Sequence, residues 1–552
     1  MGLATSDLEP DTPDTPDTPD TPDTPDTPDT RPGTSNPGPR TSDLGPRLRP
    51  AVRVLPVALL LGWGADVLFW GHRPGLNAPL FTALILVALF FLARLEGVRP
   101  AWRNLWILAP LLFFATMVAV RANELLTALN LLAVVVLLTL VAAYALAGRL
   151  HRLGVMGYPL VTLRVALEAT RRPAPAAAAL VREGTRRRPV PSSSLRRAAP
   201  LLRGVVLAAP LLLIFTVLLS AADSIFSGYV EDGLDLLLPD GRPDLGEPLG
   251  HLTLILGMAW LMAGALLYAL RRGAARRDAG DATGDELAAP VAPPLRIGFV
   301  EGATVLALVD ALFVLFVWVQ FAYLFSGQAA AAMHFEAYRD YARRGFFELL
   351  VVTVLCLGMI LGLRWLTARR TPRQVYALNA LGSLTVVLAL VMLASALQRL
   401  MVWESVQYYI SSPTRLYVRT FIVWLAMTYG WLLLTLWLRH DRFAVGACVA
   451  ALGFLVTLNL LNPDADTARA NLVRPGDLAT RYAGLLSDDA VPVLAAGLDA
   501  VDGDAQRLLR ADLAERLDDL QRAGPEDWRS LHLARWRARE TLLALRAAGK
   551  ID

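Results

Sequence analysis

Apolar runs of about twenty residues recur along this chain of 552 residues, and they constrain its fold more than any other feature. A helix of about twenty apolar residues crosses the roughly 30 Å hydrocarbon core of a bilayer. The runs do not alternate between apolar and polar residues, as the strands of a membrane β-barrel do. The sequence therefore predicts an all-α, polytopic transmembrane helical bundle of about eleven spans. The predicted spans are residues 54–70, 77–95, 104–120, 124–147, 205–224, 249–270, 297–325, 346–366, 374–397, 416–438 and 443–461.

Composition agrees with a membrane protein, and it also marks the chain's first segment as different. The chain is 55% hydrophobic and 18% charged, whereas soluble domains are about a quarter charged. Residues 1–50 instead repeat Asp-Thr-Pro and offer almost nothing apolar to bury. We expect this segment to be a disordered, low-complexity tail. It is either a tether or an expanded repeat without a specific role.

The apolar runs and the loops between them divide the rest of the chain. Residues 51–147 hold the first four spans, residues 148–204 form an Arg-rich loop, and residues 205–461 hold a seven-span core. Residues 462–552 form a small helical region. In that region Leu509, Leu513 and Leu517 recur at helical spacing, which predicts a packing face.

Arginine is markedly more frequent in the loops of one side than in those of the other. Cytoplasmic loops carry the excess of basic residues, so the N-terminus is expected in the cytoplasm. An odd number of spans then places the C-terminal region outside. The expected location is the cytoplasmic (inner) membrane of a bacterium. The basic loop 148–204 either sets orientation alone or also binds anionic lipid headgroups. Nucleic-acid binding is not expected, since no aromatic interleaving accompanies these arginines.

Charges and aromatic rings concentrate in two segments that the predicted topology places on the outer face. Residues 334–348 form a hinge between two spans, and residues 398–419 connect two later ones. They act either as recognition elements or as interfacial anchors and ion pairs that pin helix ends. We expect both segments and the region around Asn462 to pack together as a charged cap. The candidate functional cluster consists of Arg343, Arg344, Glu348, Arg399, Glu404, Arg415 and Arg419.

Two carboxylates lie in the predicted span 297–325. Glu301 is near its cytoplasmic end, and Asp310 is about 13 Å further along the helix axis, near mid-membrane. A carboxylate at that depth is costly and suggests function by default. Asp310 either relays protons or holds a cation, or it is a neutral hydrogen-bonded packing group.

Motifs with a known chemical mechanism are missing from the sequence. It contains no Gly-rich phosphate loop, no His-Glu-x-x-His and no Gly-x-Ser-x-Gly. Cys356 and Cys448 both lie in apolar spans, where a small buried side chain is the ordinary interpretation. We therefore expect no cofactor and no metal site, and we assign no catalytic residue.

Several short motifs occur in the order found in an uncharacterised bacterial membrane family. They are VQFAYLF (319–325), YARRGFFEL (341–349), SALQR (395–399), NPDA (462–465), ANL (470–472) and LSDDAVP (486–492). Over roughly residues 200–545 the chain resembles domain of unknown function 4173, which is related to domain of unknown function 4153. The resemblance implies a multi-pass bacterial membrane protein and implies no activity.

Three functions are compatible with these features. The first is a non-enzymatic sensor or assembly component that acts at the outer face, where the resembling motifs gather. The second is a transporter of a small solute or ion, which would use Asp310. The third is a membrane enzyme acting on a lipid-linked substrate, whose phosphate Arg415 and Arg419 could hold. The lipid bilayer is the one partner that the sequence itself requires.

The predicted orientation can be tested with reporter fusions. Alkaline phosphatase is active only outside the cytoplasm. A fusion after Ala547 should therefore be active, and a fusion within residues 271–296 should be inactive. The reverse pattern would contradict the N-in, C-out arrangement.

Overall fold

The computed structural model describes residues 49–150, 153–187, 228, 246–279, 297–325, 335–368, 371–406, 412–438, 442–473, 482–524 and 527–552. The predicted tail, apart from its last two residues, and the predicted span 205–224 lie outside these ranges. So do the side chains of residues 335–345 and 402–406, although both stretches are helical. Within the described residues the regular structure is helical, apart from an isolated bridge between Ile297 and Thr367.

Sixteen α-helices follow one another within the described residues. They are α1 (Arg49–Phe69), α2 (Asn77–Leu95), α3 (Leu108–Met117), α4 (Glu124–Tyr144), α5 (Gly157–Arg171), α6 (Pro173–Arg187), α7 (Gly246–Ala279), α8 (Phe299–Phe325), α9 (Phe335–Leu366), α10 (Pro372–Val406), α11 (Pro413–Trp437), α12 (Phe443–Leu461), α13 (Pro463–Leu472), α14 (Val491–Gly497), α15 (Gly503–Arg522) and α16 (Leu533–Ala547).

Nine of the described helices are long and apolar enough to cross a membrane. They coincide with nine of the eleven predicted spans, which confirms the all-α membrane fold. The predicted span 104–120 is different: a six-residue 3-10 helix, Trp102–Ile107, leads into the ten-residue α3. Pro110 lies in the first turn of α3. Because proline lacks a backbone N–H, it is tolerated there but would interrupt a longer helix that began earlier.

The spans pack around two separate apolar clusters. The first is built by α1 to α5 with α7, and the second by α8 to α11. Helix α12 contributes to both, since Leu458 is buried in the first cluster and Phe443 in the second. The two groups of spans are therefore connected through the α11–α12 pair.

Residues 157–187 form two helices rather than the simple loop that the sequence predicts. Val161, Val165 and Ala169 recur every four residues and are buried, so one stripe of α5 packs against α4 and α7. The Trp260 indole N–H donates to the Thr170 carbonyl at 2.9 Å. Because Trp260 lies well inside the span formed by α7, α5 runs alongside the membrane-crossing helices.

The C-terminal region has an apolar core of its own. Leu509, Leu513 and Leu517 on α15 are at most 1% exposed, which confirms the predicted packing face. They meet Leu494 of α14 and Leu542 of α16. This core sets residues 482–552 apart from the spans as a small helical unit with its own packing.

The α1–α7 contact can be tested at a single glycine. A Cβ atom on Gly62 would lie 2.2 Å from the Ile255 carbonyl oxygen, which belongs to the rigid α7 backbone. We expect Gly62→Ala to push the helices apart, at a cost of about 1–3 kcal/mol. Thermal unfolding in detergent should show a lower melting temperature. Gly430→Ala in α11 is the matched control, since its Cβ would meet nothing within 4 Å. Equal melting of Gly62→Ala and wild type would contradict this contact.

Candidate functional site

Buried and half-buried polar side chains from four distant parts of the chain meet where the C-terminal region contacts the spans. We call this group the polar junction. Its members come from the turn between α3 and α4, the start of α11, the start of α13, and the 3-10 helix Asp488–Ala490. The polar junction consists of Arg121, Asn123, Tyr417, Asp464, Ser487 and Asp489.

Asp489 binds the α3–α4 turn. Its carboxylate accepts from the backbone N–H groups of Ala122 at 2.6 Å and Asn123 at 3.3 Å, and it lies 3.3 Å from Nη1 of Arg121. The side chain is 3% exposed. Burial raises its pKa, and the Arg121 guanidinium and the two backbone donors oppose that rise. A buried carboxylate with three donors holds this turn in one conformation.

Asp464 and Asn123 form the second half of the polar junction. Asp464, 2% exposed, accepts from Nδ2 of Asn123 at 3.1 Å and from the backbone N–H of Ser487 at 3.1 Å. The Ser487 hydroxyl also donates to it. Asn123 in turn caps α4 by accepting from the Leu126 N–H at 3.0 Å. It also accepts from the Tyr417 hydroxyl at 3.0 Å. One asparagine thus connects α4, α11 and the C-terminal region.

Local sequence determines how Asp464 reaches this position. Asn462 ends α12 with φ of +53°, a left-handed conformation that asparagine tolerates better than most residues. Pro463 follows at the first position of α13, where its missing N–H costs nothing. The resulting sharp change of direction turns Asp464 back toward Asn123. The NPDA motif therefore works as a corner.

Arg121 extends the polar junction into the spans. Its Nε donates to the Asn459 carbonyl of α12 at 2.8 Å. The Asn459 side chain exchanges two amide hydrogen bonds with Asn130 of α4, at 2.8 and 2.9 Å, and both residues are fully buried. Because lipid offers no alternative partners, this amide pair fixes α4 against α12.

A second set of contacts docks the segment before α16 on the same end of the bundle. The Leu533 N–H donates to the Ala119 carbonyl at 2.8 Å, and the Leu76 N–H donates to the Leu531 carbonyl at 3.0 Å. His532 lies between them, with Nε2 3.1 Å from the Arg121 carbonyl. Burial and the nearby Arg535 lower the pKa of His532 to about 4. The imidazole is therefore neutral at neutral pH and donates from Nε2.

The sequence-predicted cluster is only partly described. Arg343 and Arg344 lie on α9 and Glu404 on α10, with side chains outside the described residues. Glu348 and Arg419 are exposed, Arg399 is half-buried, and Arg415 is buried in the first turn of α11. The described end of segment 398–419 and the Asn462 region do share a partner, because Tyr417 and Asp464 both bind Asn123. Packing of the hinge 334–348 against them stays a prediction.

Residues of the polar junction outside the quoted motifs were missed by sequence reasoning. Arg121 and Asn123 lie in the three-residue connection between the predicted spans 104–120 and 124–147, and no sequence pattern marks them or His532 as site residues. The available signal was two polar residues in a three-residue connection between apolar runs. Asp464 and Asp489 do lie in the NPDA and LSDDAVP motifs.

The two intramembrane carboxylates differ in their surroundings. Glu301 is exposed in the first turn of α8, and its carboxylate accepts from the Gly298 N–H at 2.9 Å. Asp310 is 3% exposed and lies 2.7 Å from the Thr385 hydroxyl of α10. Among the described residues there is no group of three or more His, Cys, Asp or Glu placed to hold a metal ion.

A family model for a domain of unknown function, DUF4153, matches residues 108–497. The chain belongs to this family. The match is to the related family and does not show the expected domain of unknown function 4173 itself. The DUF4153 match includes α3 to α14 and every member of the polar junction, whereas His532 lies beyond it. No curated protein and no solved structure matches the chain.

The docking of His532 predicts a specific pH dependence. Its pKa is about 4 when folded and about 6.5 when unfolded, so the unfolded chain binds the extra proton. The stability contributed by neutral His532 is complete above pH 6.5. It is lost as pH falls toward 4, by roughly 3 kcal/mol at 1.36 kcal/mol per pKa unit.

Comparison with His532→Gln isolates this effect, because glutamine can donate to the Arg121 carbonyl but does not titrate. Asp488 and Asp489 have raised pKa values and titrate with the opposite sign, but they are present in both proteins and cancel. Melting temperatures from pH 7.5 to 4.5 should fall more steeply for wild type than for His532→Gln. Parallel curves would show that His532 does not control docking.

Proposed function

We propose that the protein is a non-enzymatic sensor or assembly component in which the C-terminal helical region receives the input and the polar junction passes it to the spans. The observation that carries this proposal is the pair Asp464 and Asp489. Each is buried, and each binds the α3–α4 turn from the C-terminal side of the chain. A change in the position of the C-terminal region would therefore act directly on α4, α11 and α12.

Independent packing of the C-terminal region supports a separable module. Its apolar core is built from α14, α15 and α16. Hydrogen bonds attach it to the loop between α1 and α2 and to the α3–α4 turn. Such contacts can be made and broken at lower cost than a buried apolar surface, as suits a part that transmits a signal.

The proposed location is the bacterial inner membrane, with the N-terminus inside and the C-terminal region outside. Support comes from the loops that the arginine counts assign to one side. Four of these segments contact the C-terminal region or the polar junction. They are the connections 70–76 and 118–123, the start of α11 and the end of α12. The proposed kinship with domain of unknown function 4173 rests on motifs that include NPDA and LSDDAVP, which contribute to the polar junction.

Anionic lipid headgroups are a proposed partner of segment 148–204. The Arg172 guanidinium lies 5.1 Å from the centre of the Tyr268 ring, and that of Arg272 lies 5.5 Å from the Tyr144 ring. The Oε2 atom of Glu168 forms an ion pair with Nε of Arg172 at 2.7 Å. The proposal rests on the excess of arginine in this segment, since each basic residue near an anionic membrane surface contributes about 1 kcal/mol of attraction.

Transport of a small solute or ion is the second candidate function. It is favoured by Asp310, a carboxyl group that is buried within a span and has one oxygen without a hydrogen-bond partner. Intramembrane ionisable groups commonly mark ion or proton pathways.

Complementation can separate the two candidates. A source strain that lacks the chain should show a change in gene expression or growth that wild type restores. Asp489→Ala should fail to restore it while accumulating normally in the membrane, because the variant removes the carboxylate partner of Arg121 and the acceptor of two backbone N–H groups. Asp310→Asn should restore it.

Asp466→Asn is the matched control, since Asp466 lies two residues from Asp464 on α13 but is half-exposed. It should restore the strain fully. Full complementation by stable Asp489→Ala would contradict the sensor or assembly proposal. Failure of Asp310→Asn alone would favour transport.

A further inference from the structure

Asp310 lies in the second group of spans, away from the polar junction. It belongs to α8, and its carboxyl group faces α10. Among the described residues, no basic side chain forms an ion pair with it. The Thr385 hydroxyl lies 2.7 Å from Oδ1, and Oδ2 is buried without a hydrogen-bond partner. An ionised carboxylate in this position would be a buried charge with one hydrogen bond.

The number of hydrogens available at Thr385 indicates the protonation state of Asp310. The Thr385 oxygen lies within hydrogen-bond distance of both Asp310 Oδ1, at 2.7 Å, and the Leu381 carbonyl, at 3.0 Å. A hydroxyl has one hydrogen to donate and two lone pairs with which to accept. The Leu381 carbonyl can only accept, and a carboxylate can also only accept. Thr385 can make an undivided hydrogen bond to each group only when Asp310 carries a proton and donates it to Thr385.

We propose that Asp310 is a proton-binding site within the membrane, and that its bound proton holds α8 against α10. In the protonated form, Oδ1–H donates to Thr385, which donates to the Leu381 carbonyl. Release of the proton leaves a carboxylate that must compete with that carbonyl for the single hydroxyl hydrogen. This inference does not depend on the proposed sensor function.

Among the described side chains of the neighbouring helices, none supplies a charge that compensates Asp310. On α9 the thiol of Cys356 lies near Asp310, and the Tyr429 hydroxyl of α11 lies beside that thiol. The Tyr429 hydroxyl is engaged, because it donates to the Thr353 carbonyl at 2.5 Å. Arg364 on α9 instead lies 3.3 Å from Oδ1 of Asn379, which is more than one helical turn from Thr385 on α10. The ionised state would therefore stay unpaired unless the helices move or water enters.

Helix α8 is well placed to move when the proton leaves. Only 17% of the residues in its span are buried, the lowest share among the nine described spans. Its main packed neighbour among the described helices is α10. The Asp310–Thr385 bond is thus the polar contact among the described packing contacts of α8 with α10, and its loss would change a lightly held helix rather than a central one.

Infrared difference spectroscopy tests the bound proton directly. A protonated carboxylic acid has a carbonyl band that is separate from the carboxylate bands. The spectrum of wild type in lipid nanodiscs at pH 7, minus that of Asp310→Asn, should contain one such band. Glu301→Gln should not remove it. Asparagine is nearly isosteric and can donate to Thr385, so Asp310→Asn should fold. The absence of the band would overturn the proposal.

Thr385→Val keeps the shape of the side chain and removes the acceptor, so the band should persist at a shifted frequency. An unshifted band would show that Asp310 does not donate to Thr385, which overturns the proposed bond.

Hydrogen–deuterium exchange tests the consequence for α8. After correction for the intrinsic effect of pH, exchange in α8 should increase in wild type at the alkaline pH where the band disappears. It should not increase in Asp310→Asn, which cannot ionise. Equal pH responses of the two proteins would overturn the role of the proton in holding α8.

Discussion

The absence of hydrogen-bond partners in lipid is the constraint on which this structure depends. A polar group inside a span must find its partner on another span or remain unpaired at a cost of several kcal/mol. Asn130 and Asn459 satisfy each other in this way, and Asn379 donates to the Leu436 carbonyl. The first pair links α4 and α12, which are far apart in sequence, and the second links the consecutive helices α10 and α11. Polar residues in the spans therefore determine which helices are neighbours. The apolar residues determine that these segments are membrane-spanning helices.

The same constraint explains why the polar junction is built as it is. At the end of the bundle, backbone N–H groups of the α3–α4 turn cannot be satisfied within a helix. Asp489 supplies their acceptor from a segment more than three hundred residues later. Asp464 does the same for the Asn123 side chain. Two carboxylates thereby convert a three-residue turn into the attachment point of the C-terminal region, and they make that attachment dependent on charge and hydrogen bonding.

The sequence pattern located the apolar helices but did not show which polar residues pair with one another. Continuous apolar runs predicted nine helices that the structure confirms, and leucine spacing predicted the packing face of α15. By contrast, residues 157–187 were expected in a loop, because α5 mixes arginines with its buried Val161, Val165 and Ala169. Its burial depends on α4 and α7, whose surfaces a local pattern does not contain. For the same reason, the local sequence did not identify Arg121 and Asn123 as the partners of Asp489 and Asp464.

The sequence by itself determined that this protein is a helical membrane protein with a small helical C-terminal region, because length and hydropathy act locally. It also identified Asp310 as an unusual residue, since a carboxylate in an apolar run is costly whatever surrounds it. Tertiary structure alone decided that Asp310 meets Thr385, and that the C-terminal region binds the α3–α4 turn. Hydrogen bonds are short and directional, so which donor meets which acceptor depends on how whole helices pack.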